Sequence, residues 1–308
     1  MFYTGFADEA ANSLERQLEA TKALGWKHIE VRMIDRIFLG KMTDEQFDKV
    51  LETMSNTDIT FNCYGSGVAN WNCPPLDEEA YQATKQELLV SIPRMQKLGI
   101  KQLRGMSFKV DPKERVDSPE QERFIFDKVN ELVSICKDAG IVYGHENCMN
   151  YGGQSWFHAC KLLDNVKHDN FMFIFDTGNP TFLQSRMGLP PYDVQNAWEF
   201  YTHVRERIGY VHIKDSVTKL NEDGSVKERE FTYAGDGHGF VPEILTDLFK
   251  RGYDGGFSME PHIQSVFHEG DDTNDEALKE QRKFETYIEY GKRFEALVAK
   301  CKAAAAAK

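Results

Sequence analysis

The chain has 308 residues and carries 49 acidic against 37 basic side chains, which gives a formal net charge of -12 at pH 7. An acidic surface repels nucleic acid and anionic membranes, so we exclude both as main partners. No run approaches the roughly 18 apolar residues of a membrane span and the N-terminus has no signal-peptide pattern, so we expect a cytoplasmic protein.

Short apolar runs alternate with amphipathic helical patterns along the whole chain. The runs predict strands over residues 2–6, 28–32, 59–64, 100–105, 141–146, 171–176, 209–214 and 256–260. The helical patterns cover residues 13–24, 43–55, 78–98, 119–138, 154–164, 191–207 and 241–251, with a C-terminal helix over about 274–305. Four strands follow a glycine that is typical of a helix C-cap, namely Gly25, Gly99, Gly140 and Gly252.

Eight strand and helix alternations without a compositional break favour one fold class, a single (β/α)8 TIM barrel over residues 1–308. Two doubly wound domains are the alternative. A polar, turn-rich insert at about 215–240 follows the seventh predicted strand, and it can form a small hairpin over the barrel mouth.

The last four predicted strands finish with side chains that bind metals. In a parallel barrel the C-terminal ends of the strands meet at one rim, so we expect these side chains to lie close together. Each could separately be a capping or salt-bridged residue, but three carboxylates in one buried rim repel each other unless a cation neutralises them. The predicted metal ligands are Glu146, Asp176, His212 and Glu260. This oxygen-rich set suits Mn²⁺, Mg²⁺ or Co²⁺, and Zn²⁺ is also compatible with it.

Other polar and aromatic residues are predicted to reach the same rim. Lys214 shares a strand face with His212, where it could hold an anionic intermediate or pair with Asp215. The glycine-rich segment around His238 precedes a helix and could form an oxygen-binding nest. Candidate substrate contacts are Asn147, Asn179, His238, His262, Tyr64 and Trp71.

The order of these motifs resembles the sugar phosphate isomerase/epimerase superfamily of xylose isomerase-like barrels. The resemblance rests on the segments HEN, FDTGNP, YVHIKD and SMEPH, together with GFADE near the start and AGDGHGFVPEIL before the last strand. It implies a divalent metal, often Mn²⁺, held by the four predicted ligands. In the epimerase branch, it also implies that Glu146 and Glu260 move protons through an enediolate.

One residue departs from that branch, because His145 stands where many members have an aliphatic or small residue. The segment GHEN resembles the large, metal-binding subunit of bacterial C-glycoside deglycosidases. This second resemblance implies cleavage of the C–C glycosidic bond of 3-oxo-C-glycosides, in a hetero-oligomer with a small β-rich partner subunit. It implies His145 as the base. The predicted catalytic residues are therefore His145, Glu146, Glu260 and Lys214.

The chemistry of such a cleavage explains the need for a base and a metal. A C–C glycosidic bond has no leaving oxygen to protonate, so two-carboxylate hydrolysis does not apply. A ketone at C3 makes the C2 proton acidic, a metal stabilises the enolate, and elimination then expels the aglycone. A neutral imidazole is suited to remove the proton.

The geometry of a strand argues against this role for His145. Adjacent strand residues face opposite sides, so His145 and Glu146 both reach the pocket only if the strand bends or ends at Gly144. The alternatives are a keto-sugar isomerase or epimerase that uses Glu146 and Glu260 without a partner, and a non-catalytic sugar-binding barrel.

Overall fold

The computed structural model describes residues 1–111, 115–222, 224–264 and 276–307. The strands are β1 Phe2–Gly5, β2 His28–Val31, β3 Met33–Ile34, β4 Ile37–Phe38, β5 Thr60–Gly65, β6 Gln102–Gly105, β7 Val142–Glu146, β8 Phe171–Asp176, β9 Ile208–Ile213, β10 Asp215–Leu220, β11 Val226–Thr232 and β12 Gly256–Met259. The α-helices are α1 Leu14–Ala23, α2 Asp44–Ser55, α3 Glu78–Lys97, α4 Pro119–Asp138, α5 Trp156–Asn165, α6 Ala197–Val204, α7 Val241–Lys250 and α8 Glu276–Ala306.

Eight parallel strands form the wall of a nearly closed barrel. Their order around the wall is β1, β12, β9, β8, β7, β6, β5, β2. A parallel bridge between Phe6 and Glu30, just beyond β1 and within β2, joins the two ends of the sheet. The predicted (β/α)8 TIM barrel is therefore confirmed, and the C-terminal strand ends share one rim.

The predicted strands all occur, and the four glycines before strands adopt the left-handed conformation of a helix C-cap, with φ between +70° and +79°. The helix predicted over 191–207 is wrong at its start. Asn196 caps α6 by accepting a hydrogen bond from the Glu199 backbone N–H, and the preceding chain is extended, with Val194 bridged to Gln184. Helix α8 begins at Glu276, and residues 274 and 275 of its predicted span lie outside the described residues.

Two short hairpins extend beyond the strand ends. The antiparallel pair β10–β11 confirms the hairpin expected in the insert at 215–240. The pair β3–β4 was not predicted, because two-residue strands carry too little alternation to be recognised.

The core between strands and helices fixes which strand residues face inward. In β8, Phe173 and Phe175 pack on Phe200 of α6, at ring-centroid distances of 6.2 and 5.9 Å. Because side chains alternate along a strand, Asp176 then faces the barrel interior. Among the described residues, no helix is both long enough and apolar enough to cross a membrane.

Candidate metal centre and substrate cavity

Four side chains from four neighbouring strands converge at the carboxyl rim. Glu146 and Asp176 are the last residues of β7 and β8, His212 lies near the end of β9, and Glu260 follows β12. One ligand atom from each lies within 4.8 Å of the others, and all four side chains are buried. The structure therefore brings together all four residues predicted as metal ligands.

The donor set fits a divalent cation. Asp176 Oδ1 accepts hydrogen bonds from the backbone N–H groups of Gly178 and Asn179. Asp176 Oδ2 is buried and accepts no hydrogen bond from the described residues, although Lys214 Nζ lies 3.2 Å away. Three carboxylates and one imidazole, with a carboxylate oxygen left unbonded among them, form the kind of site that Mn²⁺, Mg²⁺ or Zn²⁺ occupies.

Buried cations offset the carboxylate charge. Arg104 Nη1 lies 3.2 Å from Glu146, and Lys214 Nζ lies 2.8 Å from Glu260. Arg32 Nη1 lies 2.9 Å from the other oxygen of Glu260. Burial alone would raise the pKa of Glu260, but Lys214 and the neighbouring cations lower it well below its usual range. Arg104 and His212 likewise outweigh burial and lower the pKa of Glu146 to about 2, so both glutamates are ionised, whereas burial raises the pKa of Asp176 to about 6.

His212 is held between two carboxylates. Its Nδ1 lies 3.2 Å from Glu146 Oε1, and its Nε2 lies 3.1 Å from Glu30 Oε2. Burial opposes a charge on the ring, but Glu30 and Glu146 outweigh it and raise the pKa of His212 to about 10. A metal that binds His212 must therefore displace a proton, while Glu30 orients the ring from the far side.

A cavity of about 1020 Å³ opens above this cluster. Its polar wall includes Glu146, Lys214, Glu260 and His262, and its apolar wall carries aromatic rings. The aromatic lining residues are Phe38, Trp71, Phe182 and Phe231. Phe231 belongs to β11, so the hairpin in the insert forms part of the cavity wall.

His145 faces the helix layer, on the opposite side of β7 from Glu146. Strand β7 continues regularly through Glu146, and the His145 ring stacks on Phe173 at 5.8 Å. His145 Nε2 bonds to Ser107 Oγ at 2.8 Å and to Asn150 Oδ1 at 3.0 Å. The structure does not bring His145 to the cavity lining, so this placement does not support its role as the base, which stays a prediction.

The other predicted contacts divide into two groups. Asn179, His262 and Trp71 line the cavity. Asn147 ties the ends of β7 and β8 together, because its amide bonds both the N–H and the C=O of Asp176. The structure does not bring Tyr64 or His238 to the lining: the Tyr64 hydroxyl bonds the Gly40 backbone N–H, and His238 is exposed.

The glycine-rich nest around His238 is already filled by the protein itself. The Asp215 carboxylate accepts hydrogen bonds from the backbone N–H groups of Ser216, Gly235, Gly237 and Gly239, at 2.8–3.0 Å. A β-carbon at Gly237 would lie 2.3 Å from Asp215 Oδ1. The segment therefore does bind oxygen atoms, as expected, but they belong to an internal carboxylate and not to a ligand.

Three buried residues of the site were not among the predicted site residues, namely Glu9, Arg32 and Arg104. Arg104 pairs with Glu146, and Arg32 pairs with Glu260 and Glu9. The guanidinium groups of Arg32 and Arg104 both lie over the Phe6 ring, at 4.3 and 5.0 Å. The sequence carried a signal for the two arginines, because each lies at or just beyond the end of an apolar run, as the four predicted ligands do. Arg32 follows the second barrel strand, and Arg104 lies near the end of the fourth.

The sequence matches the family model of the xylose isomerase-like TIM barrel over residues 18–286. Among curated proteins, no sequence matches this chain. The IOLI protein with a bound zinc atom is similar in structure, with 18% identity, a TM-score of 0.71, and 97% of this chain and 99% of that chain covered.

Two further solved structures are similar over most of their length. D-allulose 3-epimerase from Methylomonas sp., in complex with D-allulose, has 16% identity and a TM-score of 0.66, with 96% of each chain covered. A xylose isomerase-like TIM barrel protein from Mycobacterium smegmatis, in complex with magnesium, has 15% identity and a TM-score of 0.64, with 96% of this chain and 97% of that chain covered. At these identities the likeness shows the fold alone.

Proposed function

The chain belongs to the family of xylose isomerase-like TIM barrels, and on that premise we propose that it is a metal-dependent enzyme that moves a proton beside the carbonyl group of a keto-sugar. The observation that carries this proposal is the convergence of Glu146, Asp176, His212 and Glu260 at one point, where Glu146 and Glu260 also line a large cavity. The D-allulose complex of a structural relative supports a sugar as the ligand class.

In this proposal, the four ligands bind the metal, and two of them also transfer the proton. A divalent cation held by the four ligands would polarise a carbonyl or hydroxyl oxygen and stabilise the negative charge that develops on it. Glu146 and Glu260 line the cavity as ionised carboxylates, so either can take a proton from a carbon beside the carbonyl. The Lys214 ammonium lies 2.8 Å from Glu260, where it adds positive charge next to the developing oxyanion.

The reaction that we propose first is cleavage of 3-oxo-C-glycosides. A carboxylate takes the C2 proton, the enolate forms, and its collapse restores the C3 ketone while a C1=C2 double bond forms. The C1–C bond breaks, its electron pair leaves with the aglycone, and the aglycone ring carbon takes up one proton. The cavity supports this proposal, since about 1020 Å³ lies at the upper end of the range for drug-sized ligands and one wall is aromatic.

One further feature of the proposal, the partner subunit, follows from the resemblance of GHEN to the large deglycosidase subunits. We propose a small β-rich partner subunit, and therefore a hetero-oligomer. We also propose Mn²⁺ as the metal, because three carboxylates and one imidazole form an oxygen-rich set.

The second candidate is isomerisation or epimerisation of a keto-sugar, and the placement of His145 favours it. Proton removal and return by Glu146 and Glu260 would need neither a histidine base nor a partner subunit. Glu146 and Glu260 would again transfer the proton, and the keto-sugar would be smaller than the cavity.

One experiment distinguishes these reactions. The purified chain, loaded with Mn²⁺, is incubated with a 3-oxo-C-glucoside and separately with ketohexoses, with and without a small subunit encoded beside it. Free aglycone supports cleavage, and a new ketose or aldose supports isomerisation. Absence of any product from the loaded enzyme with its partner would contradict the proposed function.

Two variants identify the groups that act. We expect Asp176→Asn to lose both metal and activity. We expect His145→Gln to keep most of its activity when folded, because the imidazole is turned away from the cavity. Loss of cleavage in a folded, metal-loaded His145→Gln protein would instead restore His145 as the base.

A further inference from the structure

Two buried arginines of the cavity wall use their hydrogen-bond donors to different degrees. Arg32 is 4% exposed, and each of its three side-chain nitrogen atoms donates to a carboxylate. Arg104 is nearly as buried, at 6% exposed, but its Nε has no acceptor among the described residues. Because a buried N–H group without an acceptor costs free energy, the Arg104 guanidinium would gain from a ligand oxygen.

The two hydrogen bonds that Arg104 does make are long. Its Nη1 donates to Glu146 Oε2 at 3.2 Å, and its Nη2 donates to the Ser66 carbonyl at 3.3 Å. Bonds between charged groups are usually about 2.7–2.9 Å long. An arginine offers five N–H donors, and only these two of Arg104 have an acceptor in the part of the chain that the structure describes. The guanidinium can therefore donate to a further oxygen without losing a strong bond.

The Phe6 ring fixes the position of this guanidinium. Phe6 is fully buried, and its ring centroid lies 5.0 Å from Arg104 Cζ and 5.2 Å from the His212 ring. A β-carbon on Gly65 would lie 2.4 Å from the Phe6 ring, so the ring has no room to shift toward β5. Arg104 also lines the cavity, as Glu146 does. The donors of Arg104 therefore lie beside the metal centre and within the cavity wall.

We propose that Arg104 binds the substrate, by donating a hydrogen bond to the oxygen on which negative charge develops when Glu146 removes a proton. The inference rests on the proposed function for its choice of a keto-sugar as the ligand. It adds a cation on the Glu146 side of the cavity, whereas Lys214 lies beside Glu260. An arginine stays protonated and only donates, so Arg104 favours a negatively charged oxygen over a neutral hydroxyl.

Two ligands that differ at one carbon test this contact. A hexonate and a hexitol share a chain of hydroxyls, but the hexonate ends in a carboxylate whose oxygens imitate the developing charge. We expect Arg104→Met to bind the hexonate roughly 30-fold more weakly than the wild type does, as for one lost bond to a charged group. Its affinity for the hexitol should fall only about 3-fold. Titration calorimetry measures both affinities without turnover.

Two further variants separate this contact from charge and from folding. Arg104→Lys keeps a positive charge beside Glu146 but loses the planar fork, so we expect it to recover only part of the lost hexonate affinity. Arg94→Met is the matched control, because Arg94 is also buried, bonds a carbonyl and a carboxylate, and lies 5.3 Å from the Phe47 ring. Arg94 lies outside the cavity lining, so this variant should bind both ligands as the wild type does.

Each protein is saturated with Mn²⁺ first, so that a change in metal affinity does not enter the comparison. Equal losses of hexonate and hexitol affinity in Arg104→Met, or no loss of either, would overturn the inference. Full recovery in Arg104→Lys would also overturn it, because charge alone would then explain the preference, and so would absence of hexonate binding to the wild type. If no keto-sugar is converted but hexonate binding depends on Arg104 as expected, the proposed function fails and the contact with a negatively charged oxygen stands.

Discussion

His145 and Glu146 are neighbours in the chain but lie in opposite environments. Glu146 faces cations and the cavity, whereas the His145 ring packs among Phe173, Ser107 and Gly152. A β-carbon on Gly152 would lie 2.3 Å from His145 Cε1, so the ring needs a glycine there. Burial lowers the pKa of His145 to about 4, because protonation would put an N–H on Nδ1, which has no hydrogen-bond partner among the described residues.

This burial predicts an acid dependence of stability that His145 controls. The unfolded histidine takes a proton below about pH 6.5, whereas the folded one stays neutral to about pH 4. The contribution of His145 is therefore fully present above pH 6.5 and is lost as the pH falls to 4, by about 3 kcal/mol at 1.36 kcal/mol per pKa unit. Urea unfolding of wild type and His145→Gln at several pH values measures it.

Comparing the wild type with His145→Gln separates the effect of His145 on stability from the effects of other titrating groups. The free energy of unfolding of the wild type should fall more steeply than that of His145→Gln between pH 6.5 and 4. Parallel curves would mean that the imidazole is accessible to protons in the folded protein, and would reopen its role as a base.

At the scale of elements, the loop between β11 and α7 depends on a carboxylate from β10. Asp215 receives backbone N–H groups from Gly235, Gly237 and Gly239, and these glycines allow the chain to approach it closely. The loop thereby ties the hairpin to the start of α7. The hairpin carries Phe231, which packs on His262.

We expect Asp215→Ala to destabilise the fold by about 3 kcal/mol, because four backbone N–H groups, those of Ser216 and the three glycines, lose a charged acceptor. Chemical denaturation measures the change, and hydrogen exchange should accelerate at the three glycine amides. Asp236→Ala is the matched control, since Asp236 is an exposed residue of the same loop. Equal stability of the two variants would show that water replaces the carboxylate without cost.

The elements were predictable to different degrees. Apolar runs of four to six residues identify the barrel strands, because burial on both sides selects such runs. The start of α6 was not recognised, since its cap, Asn196, lies inside a longer helical pattern. Asp215 was considered as a partner of Lys214, but its bonds to glycine amides about twenty residues later depend on how the loop returns, which no local pattern encodes.

At the scale of the whole molecule, the barrel holds a dense group of opposite charges around one point. The four predicted ligands could be found from sequence because each one follows an apolar run. Arg32 and its partner Glu9 come from early in the chain, and the contact of Arg32 with Glu260 exists only because the sheet closes into a ring. The closed barrel was predictable from the sequence, but the ion pairs between residues near its first two strands and near its last strand were not.

A bound cation should stabilise the whole fold. The folded state presents four converging ligands and the unfolded chain does not, so binding at a metal concentration 100 times the dissociation constant adds about 2.7 kcal/mol to the free energy of unfolding. Thermal unfolding should therefore shift upward by several degrees on addition of Mn²⁺ and return on chelation. Asp176→Asn should show no such shift, and an equal shift in that variant would place the metal elsewhere.

The pairing of the first strand with the last determines when the barrel can close during synthesis. Phe2 of the first strand pairs with Gly256 of the last, and Glu260 and His262 come later still. At a synthesis rate of about 5–20 residues per second, the first strand waits roughly ten to fifty seconds for its neighbour. During translation the nascent sheet therefore has an open edge and the four converging side chains are incomplete, so a divalent cation could find all four of them only near the end of synthesis.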